Sequence, residues 1–233
     1  MTGDKVPTGV GGLDELLGGG IPKGHIAVVM GAFGTGKTTF GLQFINQGLA
    51  SGEHCIFISL EEDTKSILKN AESFGWDLQK YFDENKLGLY KLEPADAKNT
   101  VTRIKSELPS FIKEFKATRV VLDSISLLNM LFDSDQERRT TLFNLCQLLR
   151  STACTSLLTA EVKDDNPRSS RDGLVEYTVD GVILLQYDEP ENASEGKLTL
   201  RILKMRRCEH SRRIKPYSIG KNGITVYAGS DNL

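Results

Sequence analysis

A glycine-rich stretch carries the strongest chemical signal in the sequence. It fits the pattern Gly-x-x-x-x-Gly-Lys-Thr, in which backbone N–H groups converge on a β-phosphate. The lysine of this pattern, Lys37, is predicted to neutralise the β- and γ-phosphates during catalysis, and the hydroxyl of Thr38 is predicted to bind Mg²⁺. We therefore predict a site for a nucleotide phosphate chain, formed by Gly31-Ala32-Phe33-Gly34-Thr35-Gly36-Lys37-Thr38-Thr39.

A second candidate metal ligand, Asp123, closes a short run of β-formers. The run Arg119-Val120-Val121-Leu122 is typical of a buried strand that delivers an acid beside a phosphate loop. Alone this pattern is a weak signal, but downstream of a strong phosphate loop it becomes informative. We predict that Thr38 and Asp123 together hold Mg²⁺.

Three consecutive acids, Glu61, Glu62 and Asp63, follow another predicted strand, His54 to Leu60. Acids at the carboxyl end of a parallel strand face the crevice in which open α/β sheets bind ligands, where a glutamate can orient an attacking water. They equally fit a second interpretation, acids at the positive end of the helix predicted from Thr64 to Phe74. The residues alone leave both interpretations open.

The remaining pattern predicts the elements that position these groups. Ile26 to Met30 reads as a buried strand before the phosphate loop, and Thr39 to Ala50 as the helix after it. Strands and helices then alternate, which favours a central, mostly parallel twisted sheet flanked by helices. Further strands are predicted at Leu87–Leu92, Cys154–Ala160, Gly181–Tyr187 and Lys197–Leu203, and helices at Thr100–Phe115, at Gln136–Ser151 and, as a short helix, within 8–24. A mobile loop is predicted at Val162–Gly173 and an acidic turn at Asp188–Gly196. The last predicted element is a C-terminal hairpin of Ile214–Ile219 and Ile224–Tyr227.

The bulk composition limits the class of protein. A chain of 233 residues accommodates one sizeable α/β core, so we expect one domain over residues 1–233. A formal net charge of −2 gives no global positive field for nucleic acid or membranes. The polar start of the chain does not resemble a signal peptide, and the four widely spaced cysteines read as reduced thiols. A cytoplasmic protein is expected.

Taken together, the motifs resemble a KaiC domain of the RecA-like P-loop ATPases, over nearly the whole chain. Clock members of that family carry two such domains, whereas many archaeal and bacterial relatives carry one, as expected here. The resemblance is carried by the leader at 11–24, the phosphate loop, the Glu61-Glu62 pair, Val121-Leu122-Asp123-Ser124 and Leu203-Lys204-Met205-Arg206.

The resemblance implies roles that the residues alone do not give. It favours Glu61 and Glu62 as catalytic residues that serve the hydrolytic water of an ATP-hydrolysing enzyme. It also implies that Lys204 and Arg206, with His210 nearby, contact the ATP of a neighbouring subunit. An arginine supplied in trans predicts a closed, heterologous ring, expected to be a homohexamer.

Two departures from the family pattern have consequences. The family usually continues Lys-Met-Arg with Gly and then Ser or Thr, where this chain has Arg207 and Cys208. The clock proteins carry adjacent Ser and Thr phosphate acceptors at positions that align with Glu176 and Tyr177. We therefore expect an ATPase without an autokinase cycle.

Three functions remain open at this stage. The first is a ring ATPase that switches an unknown protein partner. The second is a DNA-binding recombination accessory protein, with loops at about Ser126 to Arg138 and Val162 to Gly173; it is not favoured, because three acids balance the three basic residues of the second loop. The third is an ATP sensor that scarcely hydrolyses its ligand.

Overall fold

The structure is a computed structural model that describes residues 4–92, 97–188 and 196–229, including the backbone of 97–105. The predicted turn at Asp188–Gly196 lies mostly outside these ranges. The strands are β1 (Lys5–Val6), β2 (Ile21–Pro22), β3 (Ile26–Gly31), β4 (Cys55–Ser59), β5 (Leu87–Lys91), β6 (Arg119–Asp123), β7 (Thr155–Ala160), β8 (Gly181–Asp188), β9 (Lys197–Met205), β10 (Lys215–Gly220) and β11 (Gly223–Val226). The helices are α1 (Leu13–Leu16), α2 (Lys37–Ala50), α3 (Thr64–Ser73), α4 (Leu78–Asp83), α5 (Ala97–Glu114), α6 (Ile125–Met130), α7 (Asp135–Ser151) and α8 (Val175–Thr178).

One nine-stranded sheet organises the described chain, in the order β11-β10-β9-β8-β3-β7-β6-β4-β5. The six strands from β8 to β5 are parallel, and β9, β10 and β11 continue the sheet in antiparallel fashion. β3, β4, β6 and β7 are buried throughout, as expected for parallel strands covered on both faces. The predicted α/β fold and C-terminal hairpin are confirmed.

The two faces of the sheet form two apolar cores. Side chains alternate along β3, so Ala27 and Val29 face one core while Val28 and Met30 face the other. The first core packs under α2 and includes Phe40 and residues of the hairpin, and the second packs under α5 and α7. Helices cover both faces of the sheet, and because these strands are parallel, their carboxyl ends lie along one edge.

Several elements differ from the sequence-based prediction. Before the leader, β1 pairs with β2 of the leader in a two-stranded ribbon, in addition to the expected short helix α1. Helix α2 begins at Lys37 rather than at Thr39. Most of the predicted loop Ser126–Arg138 is helical, because Ile125 and Leu128 are buried in the second core and α7 is capped by Ser134.

Two further observations concern the described residues as a group. None of their helices combines the length and the apolar character that crossing a membrane requires. All four cysteines are free thiols: Cys55, Cys146 and Cys154 are buried and Cys208 is half-buried. Burial raises the pKa of Cys55 and of Cys146 to about 12, so these thiols stay protonated at neutral pH.

Candidate nucleotide site

The phosphate loop joins the carboxyl end of β3 to the first turn of α2. Two of its glycines are required by geometry. A Cβ on Gly31 would lie 2.8 Å from the carbonyl oxygen of Leu185, and Gly36 has φ +88° with Ile219 Cδ1 2.7 Å from the position of a Cβ. Inside the loop, the hydroxyl of Thr35 donates a hydrogen bond to the carbonyl oxygen of Ala32 at 2.7 Å.

Lys37 lies within the loop and is surrounded by acids. Its Nζ donates a hydrogen bond to the carbonyl oxygen of Ala32 at 2.9 Å. Burial lowers the pKa of Lys37, and the charges of Glu161, Asp123 and Glu61 act in the opposite direction. The ammonium is therefore held beside several carboxylates at the edge where the phosphate loop lies.

Thr38 and Asp123 meet directly. The hydroxyl of Thr38 donates to Oδ2 of Asp123 at 2.8 Å, and the other carboxylate oxygen accepts a short hydrogen bond from the hydroxyl of Thr159. Asp123 is buried, so its carboxylate is held in one orientation. A hydroxyl and a carboxylate oxygen at contact distance fit the oxygen ligands that Mg²⁺ prefers.

The three consecutive acids after β4 take different positions. Asp63 caps α3, since its Oδ1 accepts a hydrogen bond from the backbone N–H of Ser66 at 2.8 Å. The hydroxyl of Ser124 donates to Oε1 of Glu61 at 3.3 Å, which ties Glu61 to the residue after Asp123. The helix-terminus interpretation therefore describes Asp63, while Glu61 extends toward the end of β6.

Glu62 is half-buried beside the same edge. The pKa of its carboxyl is raised above the ordinary value, first by burial and then by the negative charges of Asp123 and Glu61. The backbone N–H groups of both glutamates donate to the hydroxyl of Ser59, at 3.1 Å for Glu61 and 2.8 Å for Glu62. The end of β4 therefore fixes the backbone positions of Glu61 and Glu62.

Sequence reasoning assigned no role to Glu161, which the structure places at the same edge. Its carboxylate accepts a hydrogen bond from Arg171 at 2.7 Å, and its backbone N–H donates to the hydroxyl of Ser126 at 2.8 Å. With Ala32 and Phe33 of the phosphate loop, Glu161 and Arg171 line a cavity of about 610 Å³. The sequence signal that could have identified Glu161 was its position immediately after the strand predicted at Cys154–Ala160.

Lys204, Arg206 and His210 lie away from this site. β9 pairs Lys204 with Val182 at the start of β8, whereas Gly31 of the loop pairs with Leu185, three residues further along β8. At roughly 3.3 Å per residue, Val182 and Leu185 are about 10 Å apart along the strand. The structure thus brings Lys37, Thr38, Glu61, Glu62 and Asp123 together and leaves Lys204, Arg206 and His210 at the opposite edge.

The contacts of this opposite edge are local. Nζ of Lys204 donates to the carbonyl oxygens of Val179 at 2.7 Å and Glu176 at 3.0 Å. The guanidinium of Arg206 lies 3.5 Å from Oδ1 of Asp180 and remains 47% exposed. His210 is half-buried, and its Nδ1 lies 3.3 Å from the carbonyl oxygen of Cys208.

The two departures from the family pattern have structural counterparts. Arg207 has φ +56°, the left-handed conformation suited to the glycine usual at this position. Glu176, in place of a phosphate acceptor, accepts hydrogen bonds from the hydroxyls of Ser169, at 2.7 Å, and Ser170. These contacts attach the end of the loop predicted at Val162–Gly173 to α8.

Comparisons with known proteins identify the family of the chain. A family model described as "ATPase: KaiC" matches residues 6–231. A protein of Thermotoga maritima named UPF0273 protein is 36% identical, with 96% of each chain covered, and one from Methanopyrus kandleri is 34% identical, covering 97% of this chain and 93% of that one.

The longer clock proteins match as well. The circadian clock oscillator protein KaiC of Prochlorococcus marinus subsp. pastoris is 35% identical over 98% of this chain, which spans only 46% of that protein. Among solved structures, a KaiC-like protein from Pyrococcus horikoshii superposes with a TM-score of 0.85 at 35% identity, covering 96% of this chain and 99% of the other. The chain therefore belongs to the KaiC-like family of RecA-like P-loop ATPases.

Proposed function

We propose that this chain is a Mg²⁺-dependent ATPase that works as a ring, with ATP held between neighbouring subunits. The contact of 2.8 Å between the Thr38 hydroxyl and the Asp123 carboxylate, beside the ammonium of Lys37, supports this most directly. Mg²⁺, when bound, offsets the charge of the phosphate oxygens. Lys37 adds a positive charge at the β- and γ-phosphates.

In the proposed reaction a water attacks the γ-phosphorus. Its oxygen forms the new P–O bond, the bond to the bridging oxygen breaks, and ADP leaves with that oxygen. Glu61 and Glu62 are proposed to orient the water and accept its proton, because both begin at the strand end beside Asp123. Ser124 holds Glu61, and the raised pKa of Glu62 makes its carboxylate a better proton acceptor.

The two edges of the sheet support the proposed ring. Lys204 and Arg206 lie at the edge opposite their own phosphate loop, so a contact with ATP requires a second copy. A head-to-tail arrangement of copies closes into a ring, and the family resemblance favours six subunits. We propose that such a ring switches a protein partner.

Two further parts of the proposal concern chemistry and compartment. With Glu176 and Tyr177 at the acceptor positions, we propose that no autokinase cycle operates, which predicts no stoichiometric label on the protein after incubation with γ-labelled ATP.

The free thiols of Cys55, Cys146 and Cys154 suit a reducing compartment such as the cytoplasm. DNA binding has less support, because Arg171 is paired with Glu161.

Phosphate release from ATP by the purified chain tests the proposal, with Mg²⁺ or with a chelator. We expect release that needs Mg²⁺ and falls by roughly 100-fold or more in Lys37→Ala. Lys113→Ala, an exposed lysine on α5, is the matched control and is expected to retain the native rate. Equal rates in Lys37→Ala and the native chain contradict an ATPase, and tight ATP binding without release selects the sensor function.

A further inference from the structure

The C-terminal hairpin makes a specific contact with the phosphate loop. The hydroxyl of Tyr217, on β10, donates a hydrogen bond to the backbone carbonyl oxygen of Thr35 at 2.6 Å. Both partners are inside the protein: Tyr217 is 4% exposed and Thr35 is fully buried. The two residues are 182 positions apart in the chain. This contact therefore depends on how the end of the chain folds back over the loop.

The position of this carbonyl matters because of peptide geometry. The carbonyl of Thr35 and the N–H of Gly36 belong to one planar trans peptide, so they point in opposite directions. Tyr217 draws the carbonyl toward the hairpin, and the N–H of Gly36 is thereby turned away from the hairpin. In a loop of this sequence, the N–H groups ahead of the helix converge on a β-phosphate.

Neighbouring contacts fix the hairpin relative to the loop. Ile219, two residues along β10, lies against Gly36, where an added Cβ would be 2.7 Å from Ile219 Cδ1. The side-chain amide of Gln43, on α2, accepts from the backbone N–H of Ile224 at 2.8 Å and donates to its carbonyl oxygen at 3.1 Å. The hairpin is thus attached to the phosphate loop at Gly36 and to α2 at Gln43.

We propose that Tyr217 is a positioning residue of the nucleotide site, which orients the Thr35–Gly36 peptide so that the Gly36 N–H faces the β-phosphate. This inference rests on the proposed binding of nucleotide. It specifies the ligand class, because every nucleoside di- or triphosphate has a β-phosphate. Loss of the hydroxyl therefore weakens the binding of ADP and of ATP alike, whereas loss of a group that contacts only the γ-phosphate weakens the binding of ATP alone.

Tyr217→Phe tests the proposal with a matched control. Phenylalanine keeps the ring in the core but leaves the buried Thr35 carbonyl without its donor. Tyr227→Phe removes a hydroxyl from the exposed end of the same hairpin, where it contacts Ser218 at 2.8 Å. The dissociation constants of ADP and of a non-hydrolysed ATP analogue are measured by calorimetry, and kcat and KM by phosphate release.

We expect both dissociation constants of Tyr217→Phe to rise by roughly 2- to 12-fold, the range that one hydrogen bond contributes. KM should rise in parallel while kcat stays near the native value, since the β-phosphate contact is present before and during the reaction. Tyr227→Phe should change neither. p-Aminophenylalanine at position 217 keeps a donor and should restore native affinity.

The alternatives give distinct results. Native affinity in Tyr217→Phe, with or without a lower melting temperature, means that Tyr217 only fills the core and overturns the inference. Weaker ATP binding with unchanged ADP binding overturns it as well. If Tyr217→Phe does not fold, the p-aminophenylalanine protein decides: reduced affinity in that folded protein contradicts the role of the donor. Failure of the native chain to bind nucleotide rejects the proposed function itself.

Discussion

Thr38 and Lys204 lie at opposite edges of the same sheet. Thr38 follows the carboxyl end of β3 and bonds Asp123, whereas the ammonium of Lys204 bonds the carbonyl oxygen of Val179, ahead of β8. β3 and β8 are adjacent and parallel, so these positions mark the two ends of one pair of strands. In the proposed ring, Lys204 therefore contacts the phosphate chain on the loop of a second subunit.

The first prediction concerns the metal requirement. Asp123→Asn keeps the size of the side chain but removes the charge that would face Mg²⁺, so we expect the Mg²⁺ concentration for half-maximal ATP hydrolysis to rise about tenfold or more. Titration of Mg²⁺ at saturating ATP measures it. Asp133→Asn, an exposed acid beyond α6, serves as the control. An unchanged Mg²⁺ titration in Asp123→Asn contradicts the predicted metal ligand.

The second prediction concerns the pH dependence of hydrolysis. Glu62 must be ionised to accept a proton, and burial together with Asp123 and Glu61 raises its pKa above the ordinary 4.5. Activity should therefore decline on acidification at a pH above that value. Glu62→Gln should reduce kcat and remove this acidic limb, and pH–rate profiles of both proteins measure it. A native limb that persists in Glu62→Gln assigns it to another group.

The same pKa shift predicts a change in stability. A carboxyl whose pKa is raised in the folded state binds more protons there than when unfolded. Its contribution to stability therefore falls as pH rises from the unfolded-state pKa through the raised folded-state pKa. Glu62→Gln should therefore melt at a higher temperature than the native chain at pH 7. The difference should shrink as pH falls toward 4.5, the ordinary pKa. The exposed Glu72→Gln should show no such difference in melting curves.

The third prediction concerns Arg119, a fully buried cation at the start of β6. Its guanidinium donates to both carboxylate oxygens of Glu53, at 2.7 and 3.1 Å, and to the carbonyl oxygens of Phe44 and Pro7. Arg119→Ala removes the buried ion pair and these hydrogen bonds, and should lower the free energy of unfolding by about 3–5 kcal/mol. Urea denaturation measures the loss.

An exposed arginine of α7 provides the comparison for that experiment. Arg139→Ala should change the free energy of unfolding by less than about 0.5 kcal/mol, as surface substitutions usually do. Equal effects of Arg119→Ala and Arg139→Ala contradict a structural role for the buried arginine.

The fourth prediction concerns assembly. Nucleotide bound between subunits should favour the ring by mass action, because it binds the assembled form more tightly. Light scattering coupled to size exclusion should give a mass near six subunits with Mg²⁺ and a slowly hydrolysed ATP analogue, and Arg206→Ala should weaken that assembly. A monomer under every condition removes the shared site and favours the sensor function.

The sequence predicted the parts whose chemistry is local. The phosphate loop was readable because phosphate binding fixes residue types over a short span, and the buried strands because both of their faces are apolar. The proximity of Thr38 and Asp123 was foreseen because the loop and helix that carry Thr38 follow β3 and Asp123 closes β6, at the same edge of the sheet. Contacts between distant segments were not, since no short pattern encodes the bond from Tyr217 to Thr35 or from Arg171 to Glu161.

The acids after β4 show where pattern reasoning stops. Glu61, Glu62 and Asp63 are equivalent in the sequence, and the backbone decides between them. Asp63 reaches the first turn of α3, whereas Glu61 meets Ser124. Neighbouring acids in the chain thus take different roles, one as a helix cap and the others as candidate catalytic groups.

Mixing two defective variants tests the shared site most directly. Lys37→Ala lacks a working phosphate loop but retains Arg206, and Arg206→Ala retains the loop, so each should be inactive alone. In a mixed ring, a subunit with an intact loop can lie beside one with an intact arginine; equal random mixing restores about a quarter of the sites. We expect ATP hydrolysis to reappear on mixing. Mixed rings that remain inactive, with mixing verified by co-purification of the untagged variant with an affinity-tagged one, contradict a site shared between subunits.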